Sequence, residues 1–366
     1  MGRLSLQALP ASEMHLPTRA ITDFIRNGFF RQASFSPALR CLSTADESAP
    51  YHKEQNGNSR HKIRKKPGVF MYRVRNQLGC SVQLQRSCED ARPVTVAVLD
   101  TGIYLHPDLK GRIMEFLDFV HGRNRIYDDS GHGTHVAGCI GGSGLMSNGR
   151  YRGIAPQCLF CVGKVLDHNG EGSVDSMYDG LDWVLRNHRK YNIRVLNISV
   201  GVGQPEEEKR IMEITELLEK VWQAGIVVVC AAGNAGPGNG TISPLGSIRK
   251  VITVGCHEGG YFGNRRNLCE SYSGRGDVGI LYRKPDIVAP GTDIISCGNR
   301  GSNYVKKSGT SMATPIVSGA AALLLQKYPE LSNEEVKRKL VYSARDLGDS
   351  WNKQGWGMLD IERLFE

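Results

Sequence analysis

Val94-Thr95-Val96-Ala97-Val98-Leu99-Asp100-Thr101-Gly102 is a short apolar run that ends in a carboxylate, a hydroxyl and a glycine. An unbroken, β-branched run of this length reads as a strand covered on both faces. Its end puts Asp100 at the carboxyl edge of that strand, where open α/β sheets build their sites. The surrounding sequence repeats the pattern. Leu159–Leu166 and Arg194–Ser199 read as further strands, and Gly225–Ala231 is another β-branched run that leads straight into Ala232-Gly233-Asn234. Between them, Val174–Asn187 reads as a helix with Met177, Leu181, Trp183 and Val184 as its apolar members. Ile211, Ile214, Leu218, Val221 and Trp222 recur at helical spacing, so Glu206–Gln223 reads as an amphipathic helix. This alternation indicates an α/β fold: a mostly parallel central sheet with helices on both faces, in a single catalytic domain over residues 71–366.

Three more glycine-framed stretches supply the remaining chemistry. They are Gly131-His132-Gly133-Thr134-His135-Val136-Ala137-Gly138, Ala231-Ala232-Gly233-Asn234-Ala235-Gly236 and Gly309-Thr310-Ser311-Met312-Ala313-Thr314-Pro315. A serine hydroxyl is a weak nucleophile until a base takes its proton, and imidazole titrates near neutral pH. The imidazole needs a carboxylate to orient it, and the oxyanion formed on attack needs fixed donors. Ser311 is therefore the expected nucleophile, His132 the base and then acid, and Asp100 the orienting carboxylate. The Asn234 amide is expected at the oxyanion, beside the backbone N–H of Ser311. Each residue has a plainer reading alone: Asp-Thr-Gly as a strand-ending turn, Asn234 as a turn residue, Ser311 as a helix cap. His132 and His135 stand three apart on a predicted helix over Gly133–Gly141, but no third metal ligand accompanies them, so His135 reads as structural and no metal is expected at this site. Ser311 opens a long apolar helix through Val317, Ala320, Leu323 and Leu324, in which Pro315 is expected in the first turn. Ser332-Asn333-Glu334-Glu335 matches a capping box.

Taken together, in the order Asp, His, Ser, these four motifs resemble those of the subtilisin-type (subtilase) serine endopeptidases. The resemblance covers roughly residues 90–345. It extends to Tyr151–Pro156, Lys164-Val165-Leu166, Leu196–Gly201 and Pro285–Gly291. The short loops are similar to those of bacterial intracellular, AprX-like members. The resemblance implies hydrolysis of peptide bonds through an acyl-enzyme on Ser311, with a polypeptide substrate bound in extended form. Two backbone segments would flank that substrate: Gly170-Glu171-Gly172 and Ser199-Val200-Gly201. The P1 slot would be walled by Ser199–Gly201 and Ala231-Ala232-Gly233, which are small and uncharged. Ala235 follows Asn234 where some relatives carry an acid, so a large apolar or aromatic P1 residue is expected. No cofactor is required. The loop Gly142–Gly149, where many members bind calcium, is poor in carboxylates, so a calcium site is not carried over there and calcium elsewhere stays open. Two other readings remain: a catalytically silent binding protein on the same fold, and an esterase or peptide ligase using the same acyl-enzyme.

The net charge of +9 is unevenly spread: residues 1–70 hold 11 Lys/Arg against 5 Asp/Glu, and the rest holds 35 against 32. The densest basic run is His61-Lys62-Ile63-Arg64-Lys65-Lys66. It lacks interleaved aromatics, so a solvated arm is preferred over nucleic-acid binding. Residues 1–66 show no sustained period. They are read first as a disordered arm or an over-extended start ahead of Met71, then as a propeptide, then as an organellar presequence. No run of about 18 apolar residues exists, so no membrane span is expected. Ten cysteines are scattered along the chain and no signal peptide is visible, so a cytoplasmic protein with reduced, buried thiols is expected, with secretion as the alternative. Cys158 and Cys161 stand three apart in a predicted strand, on opposite faces, and are not expected to share a metal. The oligomeric state is not readable from the sequence.

Overall fold

The computed structural model describes residues 39–41, 44–47, 69–88, 91–201, 208–259, 268–277 and 282–366. The amino-terminal elements are strands β1 (Leu39–Cys41), β2 (Thr44–Glu47) and β3 (Val69–Phe70), then helices α1 (Met71–Gln77) and α2 (Val82–Arg86). Next come β4 (Thr95–Asp100), β5 (Ile113–Asp118), α3 (His132–Gly141), β6 (Leu159–Lys164) and the two-residue β7 (Glu171–Gly172). They are followed by α4 (Val174–Tyr191), β8 (Ile193–Ile198), β9 (Val200–Gly201), α5 (Glu208–Gln223), β10 (Val227–Ala231) and β11 (Ile252–Cys256). The chain closes with β12 (Ile287–Ala289), β13 (Ile294–Cys297), β14 (Tyr304–Ser308), α6 (Thr310–Lys327), α7 (Asn333–Tyr342), α8 (Trp351–Gln354) and α9 (Ile361–Leu364).

Seven strands form one parallel sheet in the order β12-β11-β10-β8-β4-β6-β5. The apolar run that ends in Asp100, β4, lies inside it between β6 and β8. The strand order reverses there, and such a switch point opens a crevice at the carboxyl ends. Alternation along β4 between two covered faces explains why Val96 to Leu99 are all apolar. Val96 and Val98 enter one core with Val136 of α3 and Ala320 of α6, while Ala97 and Leu99 enter another with Leu181 of α4 and Leu218 of α5. Cys158 belongs to the first core and Cys161 to the second, the opposed placement that their spacing predicts. Helix α6 is buried from Thr310 to Gln326, so its apolar character on every side follows from its central place. Pro315 lies inside α6 rather than in its first turn, because the helix already begins at Thr310. Its missing N–H leaves the Ser311 carbonyl without the usual i+4 donor. Ser332 and Glu335 form the expected capping box on α7.

β1, β2 and β3 fall within residues 1–70, which the sequence suggests are a disordered arm. β1 pairs antiparallel with both β7 and β9, β2 pairs with β14, and β3 pairs with β13. Strands of two to four residues carry no readable period, and their partners are distant in sequence. The basic run at 61–66 and the apolar stretch near 21–30 lie outside the described residues. One expectation, that the cysteines are all reduced, is corrected. Cys256 and Cys269 are joined in a disulfide, with Cα atoms 5.6 Å apart. The seven free cysteines among the described residues are all buried. Cys256 ends β11 and Cys269 lies 13 residues further on, a pairing that sequence spacing does not announce. The strands β5 and β11–β14 were not anticipated either. Among the described residues no helix is long and apolar enough to cross a membrane.

Candidate active site

Asp100 is the last residue of β4, and the chain turns sharply after it. Gly102 has φ +114°, and a Cβ there would stand 2.3 Å from the Tyr127 carbonyl oxygen. Helix α3 is seated directly on this turn: a Cβ on Gly133 would meet the Gly102 carbonyl oxygen at 2.1 Å. That close approach brings His132 and Asp100 together, and both are fully buried. Asp100 Oδ1 accepts from the Thr101 N–H at 2.7 Å and from His132 Nδ1 at 2.7 Å. An ionised carboxylate only accepts, so Nδ1 carries the proton and Nε2 is the lone-pair nitrogen of the neutral ring. His135, one turn further along α3, has another use. Its Nε2 lies 3.0 Å from the Ile294 carbonyl oxygen, and burial, with Lys307 nearby, holds its pKa down to about 3. It is a neutral structural histidine.

Ser311 is the second residue of α6 and is also fully buried. Its hydroxyl donates to the Ser199 carbonyl oxygen at 2.8 Å. Ser199 follows β8, whose Asn197 is fixed by Ser318 of α6 (2.8 Å) and itself donates to the Ser199 hydroxyl (2.9 Å). Asn234 follows β10. Its Oδ1 accepts from both the N–H and the hydroxyl of Thr310, each at 3.0 Å. Those two bonds fix which way the amide faces. Its Nδ2 is buried and has no hydrogen-bond partner among the described residues. A buried amide nitrogen is costly to leave unmet, which singles it out as a donor held for something else.

The expected substrate segments are brought to the same edge. Glu171 and Gly172 form β7, Val200 and Gly201 form β9, and Gly170 supplies a φ of +77° at the turn into β7. Ala231 and Ser199 are the next pair beyond the Cys230–Ile198 register of β10 and β8. The Ala231–Gly233 backbone is tied down by the Ser243 hydroxyl to Ala231 O (2.8 Å), Ser243 N–H to Ala232 O (2.8 Å) and Gly274 N–H to Gly233 O (2.7 Å). The space between β7 and β9 holds β1, which completes a three-stranded sheet in the order β7-β1-β9. Asp108 is the carboxylate that meets the loop after α3, and its oxygens are taken by the Met146 N–H (3.0 Å) and the Tyr304 hydroxyl (2.7 Å).

Two residues at this edge were missed in the sequence. Asp128 joins the Asp100 turn to the start of α3. Its Oδ1 accepts from the Thr101 hydroxyl (2.9 Å) and the Gly131 N–H (2.7 Å), and its Oδ2 from the Thr134 N–H (2.9 Å). A carboxylate just ahead of a helix start was the available signal. Lys164, at the end of β6 beside Asp100, is fully buried. Its Nζ donates to Thr101 O (2.8 Å), Leu166 O (2.7 Å) and Asp129 Oδ1 (2.7 Å). One ammonium therefore ties the Asp100 turn to the approach to α3 and to the loop leading to β7. Lys164→Met keeps the stem but leaves two buried carbonyls unmet, so it is expected to lower the unfolding free energy by about 2–4 kcal/mol. Denaturant unfolding measures this; a change within about 0.5 kcal/mol, the usual surface range, would contradict it.

Fold and site together define a class: a parallel α/β sheet carrying an Asp–His pair and a helix-borne serine at its carboxyl edge. The Subtilase family profile (Peptidase S8) matches residues 91–357, and the chain belongs to that family. It is 41% identical to Serine protease AprX of Bacillus subtilis (strain 168), over 68% of this chain and 60% of that protein. It is 38% identical to Subtilisin Savinase of Lederbergia lenta, over 74% of this chain and 89% of that protein. An intracellular serine protease of Paenibacillus polymyxa is 36% identical, over 75% of this chain and 83% of its own length. The crystal structure of a cold adapted subtilisin-like serine proteinase superposes with a TM-score of 0.58 at 30% identity, covering 73% of this chain and 86% of that one. The match thus spans less than two thirds of AprX.

Proposed function

We propose that the chain is a serine endopeptidase. Ser311 is the nucleophile, His132 the general base and then acid, Asp100 the orienting carboxylate, and Asn234 the side-chain oxyanion donor. In this structure the Ser311 hydroxyl is engaged by Ser199 O. A substrate strand that donates its own N–H to Ser199 O releases the hydroxyl to His132 Nε2. His132 takes the proton as Ser311 Oγ adds to the scissile carbonyl. The oxyanion is met by Asn234 Nδ2 and the Ser311 N–H. The imidazolium, balanced by Asp100, then protonates the leaving amine, and water cleaves the acyl-enzyme by the same route in reverse. No step calls for a metal.

The observation that carries this reading is the Asn234 amide, bonded at its oxygen and unmet at its buried nitrogen. If that nitrogen serves the oxyanion, Asn234→Ala lowers kcat by about 10²–10³ and leaves KM nearly unchanged, the magnitude known for the same substitution logic in subtilisin. Steady-state kinetics on one peptide decides it; a rise in KM at constant kcat would move Asn234 to ground-state binding. We further assign a large apolar or aromatic P1 residue, from the small uncharged walls at Ser199 and Ala231–Gly233. β1 stands where a substrate strand would, so residues ahead of the catalytic domain are read as a cleft-filling segment. The reduced cysteines elsewhere and the likeness to an intracellular relative favour a cytoplasmic setting.

A further inference from the structure

We propose that Glu171 selects a basic residue at the third position before the scissile bond (P3) of the polypeptide in the cleft. The inference rests on the endopeptidase reading. Arg40 of β1 is opposite Glu171 on one side and Gly201 on the other. Residues directly opposite in antiparallel strands carry their side chains on one face. Val200, the neighbour of Gly201, is buried in the core beneath the sheet, so the 40–171–201 row lies on the outer face. Glu171 is half-buried there. Its N–H donates to Asp167 Oδ1 at 2.9 Å and its carbonyl accepts from the Asp167 N–H at 2.7 Å.

Asp167, which binds the Glu171 N–H, brings a second carboxylate to the turn into β7. The polypeptide segment seated in the cleft carries Arg at the matching register. The position is fixed by counting. Only residues 42 and 43 separate β1 from β2, and Thr44 of β2 is already opposite Ser308, three residues before Ser311. A bond midway between the two strands makes the Arg40 register P3.

A half-exposed opposite-charge pair of this geometry is worth about two- to fivefold in kcat/KM, less in high salt. The test uses the full-length chain and peptides that differ only at P3, as Arg, Lys, Gln or Glu. Wild type should prefer Arg and Lys over Gln and Gln over Glu. Glu171→Gln should flatten that order and Glu171→Lys should reverse it. The same order in all three proteins, or no order in wild type, overturns the inference. Cleavage of the Gln peptide separates the two levels: cleaved without a charge order, the inference falls and the endopeptidase reading stands. If none of the four peptides is cleaved, both fall.

Discussion

Ser311→Ala is expected to lower peptide hydrolysis by about 10⁶ in kcat while the protein stays folded, the magnitude that loss of the nucleophile has in subtilisin. The structure explains why the two effects should separate. Alanine suits the start of a helix interior, and the lost hydroxyl makes one hydrogen bond, to Ser199 O. Its removal should change stability by about 1 kcal/mol. No neighbouring hydroxyl can substitute. Thr310 is committed to Asn234, and Thr314, one turn on, donates to Thr310 O at 2.8 Å. The residual rate should reflect binding and the oxyanion donors alone. Parallel measurement of kcat and thermal unfolding checks both halves; a loss of only tenfold would mean that another group carries the chemistry.

Asp100→Asn should cost about 10⁴ in kcat near neutral pH. The side chain keeps its size, so β4 and the turn should persist. What changes is the proton on the imidazole. Asp100 Oδ1 accepts from His132 Nδ1, which fixes the tautomer whose Nε2 is free of a proton. An asparagine can turn its NH₂ toward Nδ1, and the ring then carries its proton on Nε2 and no longer serves as a base. The carboxylate that balances the imidazolium is lost as well. A pH–rate profile of the variant tests this, since activity should rise where hydroxide can take over as base. A variant within tenfold of wild type would remove Asp100 from the mechanism.

Much of this was legible in the sequence because the decisive elements are long or chemically marked. The parallel sheet follows from apolar runs such as Val94–Leu99 and Val227–Ala231, covered on both faces. The site follows from four glycine-framed motifs, whose glycines are where backbones touch, as Gly133 shows against the Asp100 turn. What escaped was short or paired at a distance. β1 is three residues long and takes its partners from more than 100 residues away. Lys164 reads as a lone charged residue within a strand; only the three oxygens converging on it show its purpose. The Cys256–Cys269 bridge joins residues 13 apart, a pairing that no spacing rule specifies.

The most direct test is labelling of the folded, full-length chain with a fluorophosphonate, followed by peptide mapping, with Ser311→Ala as control. The proposed site predicts one adduct, on Ser311, absent from the control. An adduct that survives in the control, or no adduct on folded protein even after the residues ahead of Met71 are removed from the cleft, would contradict an assembled Asp100–His132–Ser311 site and leave the fold as that of a silent binding protein.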